Sequence, residues 1–285
     1  GPHFKEVDNR LMSLQLIKND MTEAVMFGPD GNNLLPAALL YKKNILALRG
    51  SFRPVTKINI DMLDKSQQLF CNTTKVTKSN TEVIFEITLE NLKAHGDIDE
   101  NDFLARVDLL GSLGHIVMIS KFKEYYKLVE YFDKYTKSKI ALSMGVNSLV
   151  DIFDEKYYRH LSGGILEAFG KLFFKNVQVY LYPMKDPNTG EIINSDNLIV
   201  SEQMKDLYKF FKHNQKVKDI EDYDETYLSI YSREVLQMIA SETEGWEQML
   251  PDGIAELIKE KNLFKDTQVS EDFFPYKNIL PNQLQ

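Results

Sequence analysis

The sequence has almost no cysteine and no long apolar run. Cys71 is the only cysteine among 285 residues, so no disulfide can form within the chain, and we expect a reducing compartment or no redox role. No stretch approaches the ~20 apolar residues of a membrane span, and the N-terminal GPHFKEVDNR lacks the apolar segment of a signal peptide. We therefore expect a cytoplasmic protein without a membrane partner, and we interpret Gly1-Pro2 as the remnant of a removed tag.

Strong positive charge is also missing. The formal net charge is −8 and the pI is near 5.3, which argues against a nucleic-acid or anionic-membrane surface. The lysines between residues 121 and 139 alternate with tyrosines and are interrupted by Glu124, Glu130 and Asp133. We interpret that segment as the solvated face of a helix, and we expect no nucleic-acid partner.

Several motifs with known chemistry are absent. The sequence contains no GxxxxGK[ST] loop, no GxGxxG after a strand, no HExxH, no CxxC and no GxSxG. These absences weaken P-loop, simple dinucleotide-binding, zinc-protease and α/β-hydrolase interpretations. No metal site is expected, and the cofactor is left unknown.

What the sequence does contain is a repeated order of strand, loop and helix. Five short runs rich in β-branched residues predict strands at 56–61 (TKINID), 82–89 (EVIFEITL), 115–120 (HIVMIS), 139–145 (KIALSMG) and 177–183 (VQVYLYP). Helical spacing predicts helices at 99–113, 124–135 and 165–174 between them. This alternation indicates an α/β fold with a largely parallel sheet, as an irregular or partial TIM-like barrel or as an open doubly wound sheet.

The chain divides into four predicted segments. Residues 1–21 are expected to form an N-terminal helix or linker, and residues 22–201 the α/β domain. After Ser201 the pattern predicts helices without strands, so that residues 202–263 form a helical region packed on that domain. Residues 264–285 contain Pro275 and Pro281 and predict an extended tail.

Ligands of parallel α/β sheets bind beyond the carboxyl ends of the strands, where loops and helix N-termini meet. The longest polar loop expected at that edge ends in Ser162-Gly163-Gly164. Its amides suit an anion, to which Arg159 and Lys121 would add positive charge. Alternatively, Ser162 is simply the N-cap of the following helix.

His160, Asp61 and Glu86 are the candidates for catalysis. His160 lies in the same loop and is a candidate general acid or base, because histidine side chains in general titrate near neutrality, and Asp61 ends a predicted strand. His95 is a rival to His160. Glu86 lies within a strand. It is either a buried carboxylate with a raised pKa or a residue that faces a solvated edge or pairs with a lysine, and we favour the second interpretation.

Five stretches of sequence carry a resemblance to a known family. They are RGSFRPVTKINIDML (49–63), DENDFLARVDLLGSLGHIVMIS (99–120), DEKYYRHLSGGILEAFGKLF (154–173), SREVLQMI (232–239) and IKEKNLF (258–264). They resemble an uncharacterised bacterial family whose members have carried the label of nicotinate- or nicotinamide-nucleotide adenylyltransferase. The resemblance implies a bacterial, cytoplasmic α/β protein. Such enzymes have an HxGH motif, but Ser112 stands where its first histidine would precede Gly114-His115, so no catalytic residue is carried over.

These observations predict an enzyme or ligand-binding domain for a small anionic molecule, phosphorylated or nucleotide-like, at the carboxyl edge of the sheet. Two alternatives remain open. One is a non-catalytic interaction or scaffold domain of a larger protein, with the helices of residues 202–261 as its docking surface. The other is a hydrolase or lyase that uses the carboxylates of Glu86 and Glu90. Whether the chain is an enzyme is not decided by its sequence.

Overall fold

The computed structural model describes residues 8–73, 75–93, 96–174 and 176–265. Its centre is one sheet of eight strands, and two further short strands form a hairpin. In chain order the strands are β1 (Ala24–Phe27), β2 (Asn33–Leu34), β3 (Asn44–Arg49), β4 (Thr81–Thr88), β5 (Ile116–Ser120), β6 (Ile140–Gly145), β7 (Val177–Tyr182), β8 (Met184–Lys185), β9 (Ile192–Ile193) and β10 (Val217–Asp219).

The sheet is open and doubly wound. Its strand order is β10-β7-β6-β3-β4-β5-β1-β2, and the six strands from β10 to β5 are parallel. Numbered from β3, these six follow the order 6-5-4-1-2-3 of a doubly wound sheet. β1 and β2 extend one edge in antiparallel pairing. The α/β prediction is confirmed in its open-sheet form, and the TIM-like barrel is wrong because the outermost strands β10 and β2 do not meet.

Helices cover both faces of the sheet. They are α1 (Asn9–Lys18), α2 (Pro36–Leu40), α3 (Lys57–Cys71), α4 (Leu89–Leu92), α5 (Glu100–Ser112), α6 (Tyr125–Asp133), α7 (Val146–Ile152), α8 (Gly164–Leu172), α9 (Lys205–His213), α10 (Ser232–Ala240) and α11 (Ile254–Lys261). One apolar cluster joins the sheet to α1, α3, α5, α10 and α11, and a second joins its other face to α6, α7, α8 and α9. The core therefore lies in two layers, one on each side of the strands.

One predicted strand is a helix. The run TKINID alternates as a strand would, yet α3 begins at Lys57 and continues to Cys71. The side-chain oxygen of Asn59 accepts a hydrogen bond from the backbone N–H of Thr56 at 2.9 Å, as in a helix capping box. Residues 50–56 therefore follow β3 and lie at the carboxyl edge, whereas a strand at 56–61 would have placed Arg53 before it, at the opposite edge.

The region after Ser201 contains one strand that the sequence did not predict. β10 pairs in parallel with β7 through Val217, Lys218 and Asp219, and a run of three residues is too short to give a periodic signal. The helices α9, α10 and α11 lie where helical spacing predicts them. The division at residue 201 stays a prediction, and residues 266–285 of the predicted tail lie outside the described residues.

The strand order reverses direction between β3 and β6. α3, which follows β3, packs on one face of the sheet, and α7, which follows β6, packs on the other. A crevice therefore opens above the carboxyl ends of these two neighbouring strands. Below it, the hydroxyls of Ser66 in α3 and Ser143 in β6 are hydrogen-bonded at 2.7 Å.

Candidate functional site

A cavity of about 460 Å³ occupies the carboxyl edge at this reversal point. The end of β3, the loops after β4 and β5, and the helix after β6 each contribute to its wall. The lining residues are Arg49, Gly50, Thr88, Glu90, Asn91, Lys123, Glu124, Tyr125, Ser148, Asp151, Ile152, Tyr157 and Tyr158. The site therefore combines polar groups from several elements with three tyrosine rings.

A buried ion pair forms one wall of the cavity. Arg49 and Glu86 lie directly opposite each other on the paired strands β3 and β4. Arg49 Nε donates to Glu86 Oε2 at 2.7 Å, and Nη2 donates to Oε1 at 3.0 Å. Ser120 Oγ donates to Oε1 at 2.6 Å. Glu86 is 0% exposed, so it pairs with an arginine and not, as the favoured prediction had it, with a lysine or with solvent at an edge.

The guanidinium of Arg49 retains unused donors. A guanidinium carries five N–H groups, of which two bind Glu86 and one, on Nη1, donates to the carbonyl of Lys123 at 3.0 Å. Its central carbon lies 4.2 Å from the centre of the Tyr125 ring. Burial disfavours the charge, but Glu86, Tyr125 and Glu124 outweigh burial and raise the pKa of Arg49. The guanidinium thus stays charged and lies against the Tyr125 ring, and two of its N–H groups have no acceptor among the described residues.

The other charged groups of the cavity are mainly acidic. Glu90 lies 3.7 Å from Lys123 across an exposed ion pair, and Glu124 pairs with Lys127 at 2.8 Å. Burial raises the pKa of the Asp151 carboxyl. Burial also raises the pKa of the Tyr125 hydroxyl, which is hydrogen-bonded to Ser148. The cavity is therefore suited to a ligand that brings hydroxyl or amino donors in addition to a negative group.

The loop of residues 50–56 is held in place by close packing and by a second arginine. A side chain at Gly50 would place its Cβ 2.9 Å from the buried Phe52 ring, which would have to move. Phe52 has a φ of 45°, a left-handed conformation that is uncommon for aromatic residues. Arg106 Nη1 donates to the carbonyl of Ser51 at 3.2 Å and to that of Asn91 at 2.9 Å. The hydrogen bonds of Arg106 therefore connect the loop after β3 to the loop after β4.

The structure places the predicted anion loop elsewhere. It follows α7, not a strand, and Gly163, not Ser162, is the N-cap of α8. The N–H of Gly163 donates to Glu167 Oε2 at 3.0 Å, while Ser162 is exposed and Gly164 has a φ of 54°. The prediction that Ser162 caps the helix is therefore wrong, and the Gly163 amide already has an anionic partner within the chain.

The remaining predicted residues do not come together. His160 Nε2 lies 3.2 Å from the Tyr126 hydroxyl, and Arg159 is exposed. Lys121 pairs with Asp20 at 3.0 Å. Asp61 Oδ2 accepts from the Tyr182 hydroxyl at 2.6 Å and from the N–H of Asp224 at 3.1 Å. None of these residues lines the cavity, and His95 lies outside the described residues.

Sequence reasoning missed the residues that form the cavity wall. Arg49, Tyr125 and Ser148 were not singled out, because their importance depends on which strands and helices are neighbours. One signal was present: Arg49 is the charged last residue of the apolar run ILALR. A charge at the end of a buried strand is unusual enough to indicate a partner.

Neither a metal-binding cluster nor a membrane-spanning helix is found in the part of the chain that the structure describes. Residues 8–73, 75–93, 96–174 and 176–265 contain no group of three His, Cys, Asp or Glu side chains that could hold a metal ion. Within the same ranges, no helix has the length and apolar character needed to cross a bilayer.

Comparison with known proteins gives a resemblance in solved structures only. No family model and no curated protein matches the chain. The nicotinic acid mononucleotide adenylyltransferase of Plasmodium falciparum in complex with NaAD superposes with a TM-score of 0.47 at 15% identity, over 79% of this chain and 98% of the other. The same enzyme in complex with APC superposes with a TM-score of 0.49 at 17% identity over the same shares. At these values the similarity carries no inference about what this chain binds.

Proposed function

We propose that this chain binds a small nucleotide-like molecule in the cavity between the carboxyl ends of β3 and β6. The observation that carries the proposal is Arg49, a buried and permanently charged group that lines the cavity and has two N–H donors without an acceptor among the described residues. Crevices at this position in doubly wound sheets are where ligands bind. In this proposal, Arg49 binds the negative group of the ligand.

The size of the cavity suits such a ligand. About 460 Å³ falls within the roughly 300–1,000 Å³ of small-molecule sites. Tyr125 and Tyr158 give flat apolar surface for a ring, and Tyr157 covers the same cavity while still 40% exposed. Aromatic side chains stack on any nucleobase, because every base has a π-face.

The polar lining favours a nucleoside with one negative group over a free phosphate. Asn91 and Ser148 offer neutral hydrogen-bonding groups, and Glu90 and Asp151 accept from hydroxyl or amino donors. These carboxylates would repel a compact polyanion. In a mononucleotide, the phosphate would bind Arg49, while the ribose hydroxyls and an amino group of the base would donate hydrogen bonds to these carboxylates.

The geometry supports binding more directly than catalysis. Both oxygens of Glu86 accept hydrogen bonds from Arg49 or Ser120, and the side chain is wholly buried. A proton could reach Glu86 only after this ion pair was broken. The hydrolase or lyase alternative therefore gains no support from Glu86. The roles predicted for His160 and Asp61 in proton transfer stay predictions.

The interaction alternative also gains little. A docking surface on residues 202–261 would need an exposed apolar stripe, for example around Tyr227, Tyr231 and Leu236, but Leu236 is buried and Tyr227 packs against the core. Among the described residues of this region, Phe210 on α9 is a large exposed apolar side chain. A single exposed aromatic residue is ordinary on a protein surface.

A thermal-shift screen with nucleosides, mononucleotides and sugar phosphates tests the proposal. A ligand at 100 times its dissociation constant adds about 2.7 kcal/mol to the free energy of unfolding. We expect mononucleotides to shift the melting temperature most, and Tyr157→Ala to weaken them roughly tenfold through the lost stacking.

Tyr41→Ala is the matched control for that variant. Tyr41 is also exposed and carries a neighbouring lysine over its ring, Lys42 at 5.0 Å, as Lys156 lies 4.7 Å from the Tyr157 ring. It precedes β3 and so lies at the other edge of the sheet. An absence of any shift with nucleosides and nucleotides, or equal losses in the two tyrosine variants, would contradict the proposal.

A further inference from the structure

The outer face of α8 carries an exposed apolar row. Leu166 and Gly170 are four residues apart and therefore lie on one side of the helix, and Phe174 follows at the same spacing just past its end. Leu166 is 65% exposed and Phe174 is 50% exposed. Gly170 and Phe174 also line a cavity of about 1000 Å³ that α6 borders. These three residues, which we call the α8 row, form two apolar projections with a gap between them at the glycine.

Gly170 is unfavourable for its helix, and the described part of the chain gives no packing reason for it. Glycine is the least favourable residue inside a helix after proline. At Gly111 in α5, an added Cβ would lie 2.9 Å from the carbonyl oxygen of Pro29, so close packing explains that glycine. At Gly170, an added Cβ would meet no described atom within 4 Å outside the helix backbone, and φ is not positive. Gly170 instead leaves room for the backbone of another molecule to approach closely.

Charged side chains border the α8 row. Lys171 Nζ lies 3.1 Å from Glu167 Oε1 in the same helix and 3.6 Å from Glu130 Oε1 in α6. On α8 the carboxylate precedes the ammonium group by about one turn, so their order is reversed in a helix that runs the other way. Against a second α8 in the antiparallel direction, each Glu167 therefore faces the Lys171 of the other copy. The charges beside the row are complementary to their own reversed copy.

The apolar groups of the α8 row have the same symmetry. Leu166 and Phe174 are each four residues from Gly170, so an antiparallel copy sets leucine against phenylalanine and glycine against glycine. A two-fold interface requires such a self-complementary surface, whereas a partner of another sequence would require no symmetry. We infer that two copies of this chain associate through antiparallel pairing of their α8 rows, with the backbones closest at Gly170. None of these residues lines the cavity between β3 and β6, so the dimer does not depend on the proposed nucleotide binding.

Sedimentation of the full chain over a range of concentrations tests the dimer. Two exposed apolar side chains per copy fall short of the ~800 Å² per partner that stable interfaces bury, so we expect a dissociation constant of roughly 10 µM to 1 mM. Gly170→Gln fills the gap in the α8 row and should weaken the dimer roughly tenfold or more. Glutamine favours the helix, so the melting temperature of this variant in dilute solution should not fall.

Leu166→Ala and Leu35→Ala form a matched pair of variants. Leu35 is 76% exposed but lies before α2, away from α8, so its truncation should leave the dimer unchanged. Leu166→Ala removes two leucine side chains per dimer, and we expect it to weaken association roughly tenfold. A monomer at all concentrations up to about 1 mM, equal losses in the two leucine variants, an unchanged dimer in Gly170→Gln or a lower melting temperature of that variant would each overturn the inference.

Mixing two charge variants tests the antiparallel direction. Glu167→Lys sets lysine against lysine between the copies, and Lys171→Glu sets glutamate against glutamate, so each variant alone should dimerise roughly tenfold more weakly. In an equimolar mixture the two chains face each other with opposite charges at both positions, and heterodimers should form. Each chain keeps its own internal changes on mixing, so this recovery can come only from contacts between chains. A mixture that associates no more strongly than the separate variants would overturn the antiparallel arrangement.

Discussion

Two loops of this molecule contain residues suited to an anion, and they differ in what their donors already bind. In residues 154–163 the N–H of Gly163 is bound by the carboxylate of Glu167. In residues 50–56 the Arg53 guanidinium, which carries five N–H groups, has Asp102 as its hydrogen-bond partner among the described residues. A glycine-rich helix start is thus no evidence of a site until its amides are shown to be free.

The largest expected effect concerns the framework that supports residues 50–56. Glu86→Gln leaves the Arg49 guanidinium buried without a counter-charge, and we expect the free energy of unfolding to fall by about 3–5 kcal/mol in urea denaturation. Glu90→Gln, which alters an exposed carboxylate of the same cavity, should change it by less than about 0.5 kcal/mol. Similar losses in the two variants would show that the Arg49–Glu86 pair does not anchor this edge.

A smaller loss of stability is expected when the hydrogen bonds of Arg106 to the loops after β3 and β4 are removed. Arg106→Met keeps the apolar stem but leaves the carbonyls of Ser51 and Asn91 without their donor. We expect a loss of about 2–3 kcal/mol, together with a weaker thermal shift from any ligand of the cavity. Full stability with unchanged ligand binding would contradict the role given to Arg106.

The helices α5 and α8 differ in whether a side chain caps their N-terminus. The Asp99 side chain accepts from the N–H groups of Asn101 and Asp102 at the start of α5, so Asp99→Ala should cost about 1 kcal/mol. Ser162 makes no capping bond at α8, and Ser162→Ala should leave the melting temperature unchanged. An equal loss of stability in Ser162→Ala and Asp99→Ala would support the capping role that the sequence suggests for Ser162.

The smallest effect concerns Glu167 and depends on pH. The N–H of Gly163, followed by Lys171, lowers the pKa of the Glu167 carboxyl below its ordinary value of 4.5. The folded state therefore binds this proton less readily than the unfolded state, and the stabilisation is present above pH 4.5 and is lost as the pH falls through the folded pKa. Melting curves of Glu167→Ala and the unmodified chain should differ slightly at neutral pH and converge in acid. A constant difference at all pH values would assign the effect to packing.

Much of the fold can be predicted from local pattern, and the site largely cannot. β4 and β5 coincide with the apolar runs EVIFEITL and HIVMIS within one or two residues, because strands buried on both faces leave a strong signal. The prediction of a strand at TKINID is wrong because its isoleucines alternate by chance, and a strand there would have placed Arg53 at the opposite edge of the sheet. The pairing of Arg49 with Glu86 depends on the register of β3 against β4, which no local pattern determines.

The short strand β10 has a consequence for any shortened form of this protein. It supplies the outer hydrogen bonds of β7, a strand whose residues Val179, Tyr180 and Leu181 are fully buried. A chain that ended before residue 217 would expose an apolar parallel edge with unpaired N–H and C=O groups. Such edges recruit strands from other molecules, so we expect truncation there to yield aggregates and not a smaller stable domain.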